Sequence, residues 1–229
     1  SRLWISSWRR WNTTLCKSEK TKTRIIYHYL IITINIKTIL NMKNFKSIAL
    51  ALVAFVSFAT TAQTGKKVDA SKSTINWVGK KVTGSHEGTI TLKDGALIFK
   101  GKKLVGGNFT VDMTTINTTD LDGKGKANLD GHLKSDDFFG VEKFPTATLV
   151  IKSLGEKGNG VYAVTADLTI KGKTESIKFD LTVGKNTAET SLKIDRTKYG
   201  IQYGSGSFFD NLGDKTISDE FELKVKLVF

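Results

Sequence analysis

The residue types that most often carry out chemistry are few in this chain and lie far apart. Two of its three histidines, His86 and His132, are widely separated, and its single cysteine is Cys16. His86 is followed by Glu87, but the H-E-x-x-H spacing that brings two histidines onto one helical face is missing. We therefore expect no metal site, no cofactor and no cysteine nucleophile.

Serine and paired carboxylates give no stronger indication of catalysis. The run Gly204-Ser205-Gly206-Ser207 lacks the G-x-S-x-G spacing of a nucleophile elbow. Asp136 and Asp137 are adjacent, as surface carboxylates commonly are, and no glycine-rich phosphate-binding motif follows a strand-like segment. The sequence therefore favours a binding or structural protein over an enzyme.

The large positive charge of the chain is concentrated in its first quarter. The 229 residues include 35 Lys and Arg against 22 Asp and Glu, a formal net charge of +13. Residues 1–41 hold eight of the basic residues and one acidic residue, and residues 42–62 hold two lysines. Residues 63–229 therefore carry 25 basic and 21 acidic residues, a net charge of +4. This balance predicts no nucleic-acid partner.

Residues 42–62 have the three parts of a secretory signal peptide. Lys43 and Lys46 follow Met42, residues 48–59 are apolar, and the small residues Thr60-Thr61-Ala62 come before Gln63. We expect cleavage before Gln63 and a periplasmic or secreted protein. Residues 1–41 are then an upstream extension outside the working protein, and residues 63–229 contain no predicted membrane span.

Residues 63–229 alternate between apolar and polar side chains in many short runs separated by turn residues. Examples are Phe109-Val111-Met113, Ala166-Leu168-Ile170 and Phe221-Leu223-Val225-Leu227. This period predicts about eight or nine half-buried antiparallel strands in one all-β barrel or sandwich domain. One stretch, residues 127–139, indicates a short helix capped by Asp120, Asp122 or Asn128.

The sequence leaves open whether such a barrel is filled or hollow. An eight-stranded barrel is just wide enough to be filled by side chains or to hold one small ligand. The ten Phe, one Trp and three Tyr of residues 63–229 could pack a core or line an apolar tube. A filled domain would be an envelope or stress interaction protein without a lipid ligand.

Several ordered segments of residues 68–229 resemble the YceI-like, polyisoprenoid-binding proteins. The run HLKSDDFFGVEKFPTATLVIKSL, residues 132–154, is similar to the family signature. GGNFTVDMTTINTTD at 106–120, DLTIKGKTESIKFDLTV at 167–183 and KIDRTKYGI at 193–201 follow in the family's order. Residues 80–88 and the Gly/Ser/Phe-rich residues 200–218 depart from its pattern.

The resemblance implies a lipocalin-like, extended antiparallel β-barrel of about eight strands with a short helix. It also implies an apolar tunnel that holds an isoprenoid lipid, such as an isoprenoid quinone or a polyprenyl chain, for transport, storage or sequestration. A homodimer is compatible with this interpretation. That lipid would be a ligand, not a cofactor.

The resemblance and the alternating runs together select twelve candidate ligand-binding residues. His132 and Tyr199 would anchor a polar head group or hydrogen-bond the helix to the barrel. The others are inward members of the strands or aromatic residues near the helix end: Trp77, Phe109, Val111, Leu168, Ile170, Phe179, Ile194, Phe138, Phe139 and Phe144.

Overall fold

A computed structural model describes residues 63–229 of the chain. The signal peptide expected at 42–62 and the extension expected at 1–41 lie outside the described residues and stay predictions.

Nine antiparallel strands make up almost all of the regular structure of residues 63–229. One α-helix, α1 (Gly123–Lys134), connects the fourth strand to the fifth, and two 3-10 helices, Arg196–Tyr199 and Gly213–Lys215, lie between the last two strands. The strands are β1 (Gln63–Lys67), β2 (Thr74–Lys81), β3 (Gly84–Lys100), β4 (Lys103–Thr118), β5 (Thr146–Gly158), β6 (Val161–Ile170), β7 (Lys173–Val183), β8 (Thr187–Asp195) and β9 (Ile217–Val228).

The sheet closes on itself through the pairing of β3 with β4. The strand order is β1-β3-β2-β9-β8-β7-β6-β5-β4, and β4 also pairs along β3. β1 and β2 share one side of β3, since β2 pairs with its first part and β1 with residues 96–100. The result is a closed eight-stranded antiparallel barrel that β1 extends. The predicted all-β, lipocalin-like barrel with a short helix is confirmed.

The two ends of the barrel differ. At the helix end lie α1, the β2–β3 turn, the β6–β7 turn and the long β8–β9 connection. At the opposite end, which we call the filled end, lie the β3–β4, β5–β6 and β7–β8 turns. There a cluster of buried apolar side chains packs across the barrel interior, including Leu97, Leu104, Val164 and Ala188. The interior is therefore close-packed at the filled end.

The helix begins at Gly123, four residues before the start that the sequence predicts, and ends at Lys134. Asp122 occupies the N-cap position, as one alternative proposed, but its side chain makes no capping hydrogen bond. No residue of α1 is fully buried. Instead, the Asp130 carboxylate accepts hydrogen bonds from the backbone N (2.8 Å) and Oγ1 (2.7 Å) of Thr118 at the end of β4.

One seam of the barrel wall is only partly paired. β7 and β8 pair at two positions, Thr182–Glu189 and Val183–Ala188, whereas β6 and β7 pair at ten. The Thr190 hydroxyl donates a hydrogen bond of 2.6 Å to the Asp180 carbonyl across the seam. Towards the helix end the two strands separate, and the 3-10 helix Arg196–Tyr199 packs against β7.

None of the helices within residues 63–229 combines the length and the apolar character that a bilayer crossing requires.

Candidate functional site: an apolar cavity inside the barrel

The barrel encloses a cavity of about 500 Å³ that reaches from the helix end into the interior. Its deeper wall is formed by inward side chains of the strands, among them Leu92, Leu181 and Leu227. At the helix end it is bordered by Leu129 and Leu133 of α1 and by polar groups of the neighbouring turns. Its size falls within the range of about 300–1,000 Å³ that is typical of small-molecule sites. The barrel is therefore hollow at the helix end, next to a filled half.

The cavity wall contains nine of the twelve residues selected from the sequence. Their contact with a ligand stays a prediction, but the structure brings them together around one space. These nine are Trp77, Phe109, Val111, His132, Phe138, Phe139, Leu168, Ile170 and Phe179.

The other three selected residues lie off the cavity wall. Phe144 follows the helix and packs over the β6–β7 turn, close enough to Gly172 that a Cβ there would meet its ring at 2.9 Å. Ile194 and Tyr199 are buried in the same apolar cluster as Leu168 and Ile170, but they do not line the cavity. Tyr199 forms no hydrogen bond through its hydroxyl in the described part of the chain, so it does not tether the helix.

Two large aromatic side chains of the wall depend on glycines in the adjacent strand. The Trp77 indole lies so close to Gly88 that a Cβ there would be 2.5 Å from its Cζ2 atom and 2.1 Å from the Asn117 carbonyl. Its Nε1 donates to the Thr89 carbonyl at 3.2 Å. Phe109 approaches Gly95 in the same way, at 2.6 Å. The missing side chains leave the space that both rings occupy.

The charged side chains and histidines of the site gather at its mouth. His86 Nδ1 lies 2.9 Å from Asp120 Oδ2, and the Glu87 backbone N donates to Asp120 Oδ1 at 3.1 Å. Burial alone would raise the pKa of Asp120, but hydrogen bonds from His86 and Glu87 outweigh burial and lower that pKa. The pair ties β3 to the segment that leads into α1.

His132 of α1 contributes to the mouth through its ring. It lies edge-on to Tyr203, with ring centroids 4.5 Å apart, and edge-on to Phe138 at 5.3 Å. Such perpendicular contacts between flat rings are favourable. They join the helix to the β8–β9 connection above the cavity.

Arg196 is a wall residue that reasoning from the sequence missed. It is 2% exposed, and its guanidinium donates to the carbonyls of Ser218 (2.9 Å), Ile201 (2.8 Å) and Ile217 (3.0 Å). Burial lowers the pKa of Arg196, partly offset by Asp219 at 3.7 Å. Arg196 lies in the Asp-Arg-x-x-Tyr-Gly run, which is one of the segments that resemble the family. A charged residue in that run could have been selected as a candidate site residue on this ground.

The described residues bring together no cluster of three or more His, Cys, Asp or Glu side chains that could hold a metal ion. What they offer a ligand is a long apolar interior with hydrogen-bonding and charged groups at one end. This arrangement suits a molecule with an apolar body and a small polar head.

These features define a closed antiparallel β-barrel with a deep internal apolar cavity. The chain belongs to the YceI-like domain family, which it matches over residues 67–229.

The curated relatives of this chain match only part of the domain. A UPF0312 protein of Shewanella denitrificans is 39% identical over 84 residues, which are 37% of this chain and 42% of that protein. A UPF0312 protein of Staphylococcus aureus strain USA300 is 39% identical over 100 residues, 39% of this chain and 55% of that protein. The chain thus spans about half the length of the curated relatives that it matches.

Solved structures agree with the barrel fold. BcnA of Burkholderia cenocepacia is 26% identical, with a TM-score of 0.55, over 71% of this chain and 99% of that one. A polyisoprenoid binding domain from Saccharophagus degradans, implicated in plant cell wall breakdown, is 17% identical with a TM-score of 0.50. That match covers 70% of this chain and 95% of the other, and it shows the shared fold.

Proposed function

We propose that this protein binds a long apolar isoprenoid lipid, such as an isoprenoid quinone or a polyprenyl chain, inside its barrel. The single observation that carries the proposal is the apolar cavity of about 500 Å³ whose charged side chains and histidines lie at one end. Each CH₂ group transferred from water into such a cavity is worth about 0.8 kcal/mol. A ligand of this kind needs few polar contacts.

Family membership supports the same class of ligand. The Saccharophagus degradans domain that shares the fold is a polyisoprenoid binding domain, and the motifs of residues 132–154 resemble proteins of that type. The hollow interior favours this function over a filled interaction domain.

We further propose that the protein works in the periplasm or outside the cell, a location supported by the signal-like sequence of residues 42–62. There it would carry, store or sequester a lipid that is insoluble in water. A binding role accounts for the cavity without a catalytic step.

Organic extraction of natively purified protein, followed by mass spectrometry, tests the proposal. We expect an isoprenoid to be extracted from the wild type and to be absent from a Gly79→Phe variant. Gly79 lies on the cavity wall, and a Cβ there would meet nothing within 4 Å, so a large side chain at this position has room to begin and occupies space that the ligand would need.

Gly65→Phe is the matched control, because Gly65 lies on the exposed strand β1 and its Cβ would also meet nothing within 4 Å. This variant should retain the lipid. An extract of wild-type protein without any isoprenoid, together with no uptake of a fluorescent polyene, would contradict the proposed function.

A further inference from the structure

Exposed apolar side chains lie in two segments at the helix end, the β2–β3 turn and the β8–β9 connection. A concentration of exposed hydrophobic residues at one place on a surface marks an interaction site more often than scattered ones do. We call these four residues the apolar rim: Val82 (67% exposed), Tyr203 (48%), Phe208 (50%) and Phe209 (50%).

Backbone hydrogen bonds hold the rim in place. The Val82 N–H donates to the Thr216 carbonyl at 3.1 Å, which ties the β2–β3 turn to the β8–β9 connection. The backbone N–H groups of Phe208 and Phe209 both donate to the carbonyl of Ser205, at 3.2 and 3.0 Å, and Ser205 is fully buried. The two phenyl rings are therefore displayed on an anchored turn.

The rim is continuous with the cavity. Tyr203 belongs both to the rim and to the cavity wall, where it packs against His132. Ile217, the residue after Thr216, lines the cavity as well. A partner that covers the rim therefore also covers the entrance through which a ligand must pass.

The charges near the rim narrow the choice of partner. Lys81 and Lys215 are exposed at the mouth, and neither takes part in an ion pair within the described range 63–229. Asp210 and Asp214 lie in the same connection, so the net charge is small. A suitable partner buries the aromatic rings and has anionic groups within reach of the two lysines.

We propose that the apolar rim docks onto the surface of a phospholipid bilayer and places the cavity mouth against the lipid. Aromatic side chains are favoured at the boundary between headgroups and acyl chains, and neighbouring lysines can reach the phosphates. This inference rests on the proposed function, because an isoprenoid lipid is dissolved in bilayers and must leave one to enter the barrel.

Sedimentation with vesicles of phosphatidylethanolamine and phosphatidylglycerol tests the docking surface in the full chain. We expect the wild type to sediment with the vesicles and Phe208→Ser/Phe209→Ser to show a partition coefficient lower by about tenfold or more. The control is Val105→Ser/Val150→Ser, which removes two exposed apolar side chains from β4 and β5. It should partition like the wild type, and residues 1–62 are identical in all three proteins.

Hydrogen exchange locates the contact. Added vesicles should slow exchange at the backbone amides of residues 203–217 and leave those of β5 unchanged. Failure of the wild type to bind vesicles, equal partition of the two double variants, or protection elsewhere than at the rim would overturn the proposal. Lipid content is measured separately by extraction. A protein that contains isoprenoid but does not sediment with vesicles would therefore contradict membrane docking and leave the proposed lipid binding intact.

Discussion

At the scale of single residues, the guanidinium of Arg196 is central to the order of the cavity mouth. Its three hydrogen bonds satisfy carbonyls at the start of β9 and just after the 3-10 helix. Arg196→Met would keep most of the apolar volume but leave these buried carbonyls without donors. We expect the free energy of unfolding to fall by about 3 kcal/mol, measured by urea denaturation.

Lys198→Met is the control for this variant, because Lys198 belongs to the same 3-10 helix and is exposed. It should change the stability by no more than about 0.5 kcal/mol. Equal stability of the two variants would show that the carbonyls find other donors when Arg196 is lost.

Tyr199 is a buried phenol whose hydroxyl has no hydrogen-bond partner among the described residues. Burial raises its pKa from an ordinary value of 10.0 to about 12. The folded state therefore holds this proton more tightly than the unfolded state, and stability should fall as the pH rises from about 10 to about 12.

Tyr199→Phe should remove that part of the alkaline loss and should match or exceed the wild-type stability at neutral pH, because an unpaired buried hydroxyl is costly. Thermal unfolding at a series of pH values measures both effects. An alkaline loss of the same size in the Phe variant would assign it to other groups.

Single residues also show which parts of the site the sequence could predict and which it could not. The alternation of apolar and polar residues placed Trp77, Phe109 and Phe179 on the inner face, because side chains of a strand alternate strictly between its two faces. Phe144 and Tyr199 lie outside regular strands, where no period tells in which direction a side chain points. The role of Arg196 depends on carbonyls of residues 201, 217 and 218, which only the folded chain brings together.

At the scale of elements, α1 is held to the barrel largely by polar contacts. Besides its bonds to Thr118, Asp130 accepts from Lys126 Nζ at 2.6 Å, and the same ammonium donates to Asn117 Oδ1 at 2.6 Å. Burial alone would raise the pKa of Asp130, but hydrogen bonds from Lys126 and Thr118 outweigh burial and lower that pKa. The tether therefore stabilises the fold at neutral pH and weakens as the pH falls below the ordinary range of a carboxyl group.

Asp130→Ala should detach the helix while the barrel persists. We expect faster hydrogen exchange throughout residues 123–134 and a loss of about 2 kcal/mol in the free energy of unfolding. Asp122→Ala is the matched control, since the Asp122 side chain makes no capping bond. Equal exchange in the two variants would mean that the apolar contacts of Leu129 and Leu133 suffice to hold the helix.

The elements themselves differ in how well the sequence predicts them. The strands follow from local alternation, whereas the helix carries a weak apolar pattern and no buried residue, so the sequence left three candidate caps open, of which the structure uses Asp122. Residues 200–216 contain no regular element beyond a 3-10 turn. Their position over the cavity mouth follows from closure of the barrel, which a local pattern does not encode.

At the scale of the whole molecule, the barrel joins a filled half to a hollow half. Close packing at the filled end supplies the apolar burial that a hollow barrel would lack. The hollow half can then keep its apolar wall free for a ligand. A bound lipid would add stability by mass action, so removal of lipid should lower the melting temperature.

This division predicts that the same truncation has different costs in the two halves. Leu97 is fully buried at the filled end, whereas Leu149 is partly buried and lies on the cavity wall. In lipid-free protein, Leu97→Ala should lower the free energy of unfolding by about 3 kcal/mol, because it opens a new void in packed surroundings. Leu149→Ala only enlarges an existing space and should cost no more than about 2 kcal/mol, which is the transfer term of the lost carbon groups without a new void. Urea denaturation of both variants measures the difference.

Equal losses of stability in the two variants would mean that the hollow half closes onto itself when no lipid is bound. The cavity would then exist only when its ligand is present.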